Sequence, residues 1–375
     1  MSSQKPHVKL FIPGPTEVAP EVFEAMSKPM IGHRQKVYSD LQKQIKEKLK
    51  AVLFAPNHMM FLSASSATGL MEGFLRNCTA KRNLSCICGA FSLRWHEIAI
   101  GNGKEADALN VEWGQPYDTN AIDKALATGK YDTITTVYNE TSTGVKNDLE
   151  ALSKVIKKYP DVIWGVDAVS GMMGAKIETE KLGIDFLVAS VQKCFALPPG
   201  LAIAAISNRA MERAKSIPTR GYYFDFIDYA KYDAKDQTPA TPAISLLNGL
   251  NFQLDRFIKD GLENRFRKYD EMAEYVRNWA EKFFALYPPR HASSQTVTCI
   301  KNTRNLNVSD LNKKLAERNL HISNGYGDLK EKTFRIAHMG ELTLADIKEV
   351  LSVVEEIWQL NKNGNEKCCS ACGGH

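Results

Sequence analysis

Short apolar runs alternate with longer stretches in which apolar residues recur every three or four positions over roughly the first half of the chain. The runs at residues 59–62, 84–88, 133–138, 162–166, 184–189 and 201–206 are too short for stable helices and are bounded by turn residues, so they read as buried strands. Another strand falls near residues 107–112. Between them the helical period places amphipathic helices at 37–54, 67–77, 119–128 and 149–159, with Leu70, Met71, Phe74 and Leu75 on the inner face of the second. Strands alternating with helices predict an α/β fold built on a mostly parallel, doubly wound sheet.

Past Ile206 the pattern changes to helices with aromatic loops, and a long helical stretch spans residues 254–284. A second, smaller α/β unit follows, with strands near 296–301 and 332–336 and helices at 308–318 and 343–360. The expected organisation is an N-terminal arm (1–20), a large domain (21–255), a small C-terminal domain (256–360) and a Cys-rich tail (361–375). The arm contains Pro13-Gly14-Pro15, and such arms are usually tied down on the body or on a partner subunit.

In doubly wound sheets, ligands gather beyond the carboxyl ends of the strands. Phe91, Thr141, Asp167 and Lys193 each lie at or shortly past the end of a different expected strand, so four loops converge on one edge. Lys193 sits in Ser190-Val191-Gln192-Lys193, ahead of a Pro198-Pro199-Gly200 turn and between two core strands. A lysine there either snorkels to water or has a lowered pKa that suits Schiff-base chemistry. Ser66, Ala67 and Thr68 open a helix after a small-residue loop, and the free N–H groups of such a terminus bind phosphate. His33 and Arg34 stand at a turn that could be solvated or hold an anion.

Composition narrows the classes. The chain has 375 residues, 44% hydrophobic and 24% charged, with a formal net charge of +5. The charge is spread along the chain, which argues against nucleic acid as a partner. No uncharged stretch is apolar enough to span a bilayer, and residues 1–6 lack the apolar core of a signal peptide, so a cytoplasmic enzyme is expected. Of eight cysteines, Cys78, Cys86, Cys88, Cys194 and Cys299 lie in apolar segments and read as buried thiols in a reducing compartment.

Taken together, Ser190-Val191-Gln192-Lys193 with Pro198-Pro199-Gly200, Val166-Asp167-Ala168-Val169-Ser170, Asn139-Glu140-Thr141-Ser142-Thr143-Gly144 and Gln237-Thr238-Pro239-Ala240-Thr241-Pro242 resemble the class V aminotransferase family. These are fold-type I enzymes that use pyridoxal 5′-phosphate, and the likeness runs from Pro13 to about Leu360. Within the family, the chain is most similar to the alanine–glyoxylate and serine–pyruvate group. The resemblance implies that Lys193 holds the cofactor and shuttles the proton at the substrate α-carbon, and that Asp167 pairs with the pyridine nitrogen. It further implies that Phe91, where many relatives have tryptophan, stacks on the ring, and that Thr141 bonds near the ring 3′-oxygen. The phosphate would be held by Ser66, Ala67, Thr68 and Gln192, with Thr241 contributed by the second subunit of a homodimer; Ala67 replaces a glycine common in the family. Arg335 matches the arginine that grips the substrate α-carboxylate. It alternates away from Phe334 and Ile336, so it need not be buried in the core.

The activity implied is transfer of an amino group between a small amino acid, alanine or serine, and a 2-oxo acid such as glyoxylate or pyruvate. A phosphoserine aminotransferase is the alternative, since Gly32-His33-Arg34 resembles a stretch that holds a substrate phosphate there. A lyase or cysteine desulfurase would need a mobile catalytic cysteine, and Cys299 lies in a strand. A non-enzymatic binding module would not need both Lys193 and Asp167. No metal is expected in the site. Cys368, Cys369, Cys372 and His375 have the ligand types of a soft-metal or redox site, yet follow a polar linker and are expected to take no part in transamination.

Overall fold

The computed structural model describes residues 7–361; the cysteines and histidine of the tail lie outside them. In chain order the strands are β1 (Lys9–Phe11), β2 (Met59–Ser63), β3 (Asn83–Ile87), β4 (Ala106–Asn110), β5 (Thr133–Val137), β6 (Asn139–Glu140), β7 (Val145–Lys146), β8 (Ile163–Asp167), β9 (Phe186–Ser190), β10 (Ala202–Ile206), β11 (Ala285–Leu286), β12 (Val297–Lys301), β13 (Leu320–Asn324) and β14 (Thr333–Ala337). Seven of them form the large sheet in the order β2-β10-β9-β8-β5-β3-β4.

Strands β3, β4, β5, β8 and β9 run parallel, and β10 lies antiparallel to both β9 and β2. The reason for the reversal is the connection at residues 191–201, which is too short for a crossover helix and must return as a hairpin. Every residue of β3, β5, β8, β9 and β10 is buried, as expected for strands covered on both faces. Register brings Ser63 and Ser190 level across Ala202, and Asp167 pairs with Val137 and Val188. The carboxyl ends of β2, β5, β8 and β9 therefore share one edge.

The second sheet has the order β1-β13-β14-β12-β11. Its first strand comes from the N-terminal arm, paired parallel to β13 through Lys9–Leu320 and Phe11–Ile322. The long helical stretch is two helices, Ile244–Asp260 and Leu262–Phe283, split at Gly261, whose φ of 82° is a left-handed value favouring glycine. The first of them runs past residue 255 and packs on the helices Pro20–Met26 and Lys36–Val52 of the large unit. Among the described residues, no helix is long and apolar enough to cross a membrane.

Candidate active site

The loop after β9 is closed by its own backbone. Lys193 O accepts from Ala196 N at 2.9 Å, and Leu197 N donates to Val191 O at 3.0 Å. Ala196 takes a left-handed φ of 57° to make this turn. Lys193 is thereby held over the edge of the sheet, partly buried, with Asp167 on the neighbouring strand and no ion pair between them. Burial pushes its amine down to about 8; Asp167 acts against this, while Arg335 and Arg94 add to it. Asp167 is only 7% exposed, and burial pushes its carboxyl up to about 6, with the nearby Glu140 adding to the rise and the Val169 N–H opposing it. Its Oδ1 accepts from Val169 N at 2.8 Å, which fixes the carboxylate's orientation.

Glu140 organises the next layer, and sequence reading gave it no role. Its buried carboxylate accepts from Phe91 N at 3.2 Å, from Ser92 N and Ser92 Oγ at 2.8 Å, and from Ser142 N and Oγ at 3.1 and 2.6 Å. A carboxylate at the first turn of the helix Ala90–Gly101 satisfies orphan amides and complements the helix dipole. The result locks Phe91 to the 139–144 loop. Thr141 Oγ1 donates to Ser170 Oγ at 2.7 Å, and Ser170 Oγ to Asn139 O at 3.2 Å, so the loops after β5 and β8 are joined. The signal that could have found Glu140 is a lone acid among small polar residues at a strand end.

Arg335 enters from β14. It alternates away from Phe334 and Ile336 along the strand and is only 7% exposed. Neighbouring carbonyls make that burial tolerable: Nε and Nη2 donate to Asn324 O at 3.3 and 3.2 Å, and Nη1 to Thr141 O at 3.1 Å. These bonds leave one N–H on each terminal nitrogen for a further acceptor, the pair of donors a carboxylate needs. Tyr326, also missed because nothing in its local sequence marks it, lies with its ring 5.6 Å from the Arg335 guanidinium and 5.3 Å from the Phe91 ring. Arg94 covers Phe91 from 4.8 Å.

At the helix Ala67–Cys78, Ser66 occupies the N-cap position but makes no side-chain cap bond; the amides of Ala67 and Thr68, at the first turn, have no intrahelical acceptor. Gln192 Oε1 accepts from Ser190 Oγ at 2.5 Å. The other expected residues fall elsewhere. Arg34 is exposed and donates to Thr238 O at 2.7 Å, Pro239 O at 3.0 Å and Gln237 Oε1 at 3.2 Å, with its guanidinium over Tyr232. It is thus committed to the loop that carries the exposed Thr241, and no hydrogen bond or ion pair among the described residues joins His33, Arg34 or Thr241 to the Lys193 group. Cys299, in β12, is buried and pushed up to about 11 by burial, a neutral thiol.

A buried acid with one bonded and one unbonded oxygen, a partly buried amine, an uncapped helix N-terminus and a ring-bearing wall are the donor set that pyridoxal phosphate requires, so the residues present fit it. Among the described residues no cluster of potential metal ligands occurs.

The aminotransferase class-V family profile matches residues 8–327. The chain is 37% identical to an uncharacterized aminotransferase of Methanocaldococcus jannaschii, covering 92% of this chain and 91% of that one. It is 32% identical to the L-aspartate–glyoxylate aminotransferase of Paracoccus denitrificans (92% and 88%) and 32% identical to the serine–glyoxylate aminotransferase of Hyphomicrobium methylovorum (98% and 93%). The crystal structure of alanine–glyoxylate aminotransferase from Nostoc superposes with a TM-score of 0.90 at 23% identity, covering 96% of this chain and 97% of that one, and shares its fold. The chain belongs to the class-V aminotransferase family, with the fold-type I architecture; it is a transaminase.

Proposed function

We propose that this transaminase uses pyridoxal phosphate to move an amino group from a small amino acid, alanine or serine, to glyoxylate or pyruvate. The observation that carries the reading is the couple of the partly buried Lys193 and the buried Asp167 on adjoining strand ends, with no ion pair between them, together with the free donors of Arg335. The cofactor, when bound, supplies the electron sink for the bond broken at the α-carbon. Ser66, the Ala67 and Thr68 amides and Gln192 would hold its phosphate, Phe91 its ring face, Thr141 its 3′-oxygen side and Asp167 its ring nitrogen. With its carboxyl at about 6, Asp167 is ionised near pH 8, and its buried negative charge would favour a proton on that nitrogen. Lys193, with a lowered pKa, is substantially neutral near pH 8 and accepts the α-proton at Nζ. Arg335 orients the substrate carboxylate, and Tyr326 with Phe91 keeps water from that side.

Glyoxylate as acceptor is supported by the named activities of the curated relatives, which differ in donor between aspartate and serine. The phosphoserine reading has less support, because Arg34 spends its donors on residues 237–239. We also propose a homodimer in which the exposed Thr241 completes the partner's phosphate site, and a cytoplasmic setting that suits the five buried free thiols among the described residues. A screen of alanine, serine, aspartate and phosphoserine against glyoxylate, pyruvate and 2-oxoglutarate tests the reading. Turnover of alanine or serine with glyoxylate or pyruvate is expected; activity confined to phosphoserine would overturn it, and activity with aspartate would broaden the donor class.

A further inference from the structure

Lys193 Nζ has one hydrogen-bond acceptor among the described residues, and it comes from the N-terminal arm: the carbonyl of Pro13. The next residue leaves room for nothing but glycine. A Cβ on Gly14 would stand 2.7 Å from Lys193 Cδ, 2.9 Å from Gln192 O and 3.0 Å from Lys193 Cε, and Gly14 has a φ of +102°. Two residues on, the buried Thr16 donates its hydroxyl to Lys193 O at 3.0 Å. On its other side Thr16 meets Gly340, where a Cβ would come within 2.8 Å of the Thr16 side chain. The arm is itself anchored. β1 is paired into the second sheet beside β13, Leu10 N donates to Glu17 Oε1 at 2.8 Å, and Lys9 reaches Asp346 at 2.6 Å.

We propose that residues 13–16 are the positioning element of Lys193: the Pro13 carbonyl holds the free amine in place, Gly14 provides clearance along its stem, and Thr16 fixes its backbone. The choice of acceptor matters chemically. A carboxylate in this position would favour the ammonium form and raise the lysine's proton affinity, whereas an uncharged carbonyl orients the nitrogen with a weaker bias toward charge. A neutral amine donating one N–H to Pro13 O keeps its lone pair for the reacting carbon or proton. The inference rests on the assignment of Lys193 as the reacting amine.

The test is made on the full-length, cofactor-free protein. Reductive methylation of Lys193 by formaldehyde and cyanoborohydride is followed by peptide mass spectrometry across pH, in the parent and in Gly14→Ala, Thr16→Val and Thr16→Ser, alongside the dissociation constant for pyridoxal phosphate. The parent should label with a midpoint near 8. Gly14→Ala and Thr16→Val should shift that midpoint by about half a unit or more, a roughly threefold change in the neutral fraction below it, and weaken cofactor binding; Thr16→Ser should restore the parent values. If Gly14→Ala does not fold, the Thr16 pair decides. Unchanged midpoint and cofactor affinity in folded Thr16→Val would overturn the proposal. Failure of the assignment of Lys193 itself would appear separately, as undiminished turnover in Lys193→Ala.

Discussion

The two sheets handle charge in opposite ways. On the large sheet the five inner strands are buried throughout, and ionisable groups of the site appear at or just past the strand ends, where Asp167 and Lys193 are desolvated enough to move toward neutrality. On the small sheet Arg335 stands in mid-strand, buried, and carbonyls of Asn324 and Thr141 surround it. A guanidinium stays charged at any working pH. One region therefore supplies groups that exchange protons, and the other a fixed charge that positions a substrate. A lysine at 335 or an arginine at 193 would not exchange these duties.

Removing the proton-exchanging amine should have the largest effect. Lys193→Ala is expected to lose about 10⁴-fold or more in kcat with donor and acceptor saturating, while circular dichroism stays that of the parent, since the residue is in a loop. Asp167→Asn should bind pyridoxal phosphate yet slow α-proton exchange, measured as loss of deuterium from labelled donor, by about 10³-fold; a rate equal to the parent's would remove Asp167 from the chemistry. Arg335→Lys keeps the charge but not the two parallel donors. It should cost roughly 10- to 100-fold in kcat/KM, from about 1.5–3 kcal/mol of charge-assisted bonding, and should leave the pH midpoint of Lys193 labelling nearly where it was. A large shift of that midpoint would blur the contrast between the sheets.

The pH dependence of stability sharpens the same contrast. The folded lysine titrates near 8 against an unperturbed 10.5, so between those values the unfolded chain binds more protons and this group makes the folded cofactor-free protein more stable as pH rises. Lys193→Met should lose that slope in denaturant titrations at pH 8 and 10, whereas Arg335→Lys should keep it. The smallest effect is expected from Arg34→Ala, which should alter kcat/KM for alanine or serine by less than about threefold if the residue serves only the 237–239 loop; a large loss confined to phosphoserine would revive the phosphate role.

The large sheet was legible because its strands are short apolar runs and its chemistry falls where those runs stop, so Asp167, Thr141, Phe91 and Lys193 could be placed on one edge from local pattern alone. What escaped depends on contacts between distant parts of the chain. β1 and β13 lack a strong local signal; β1 is held by its pairing with β13, and β13 lies between β1 and β14. Glu140 acquires its role from amides of the helix Ala90–Gly101, and Pro13 from a lysine far along the chain. The break at Gly261 was hidden inside a continuous helical period, and the burial of Arg335 follows from two carbonyls on other elements rather than from its alternation in β14.

The central claim is that Lys193 is the amine that carries the cofactor. The direct measurement is borohydride reduction of the protein loaded with pyridoxal phosphate, followed by digestion and mass spectrometry. The account predicts close to one phosphopyridoxyl group per chain, on Lys193, and none when saturating amino donor has converted the cofactor to its amine form first. A stoichiometric adduct on another lysine, with Lys193 unmodified, would contradict it.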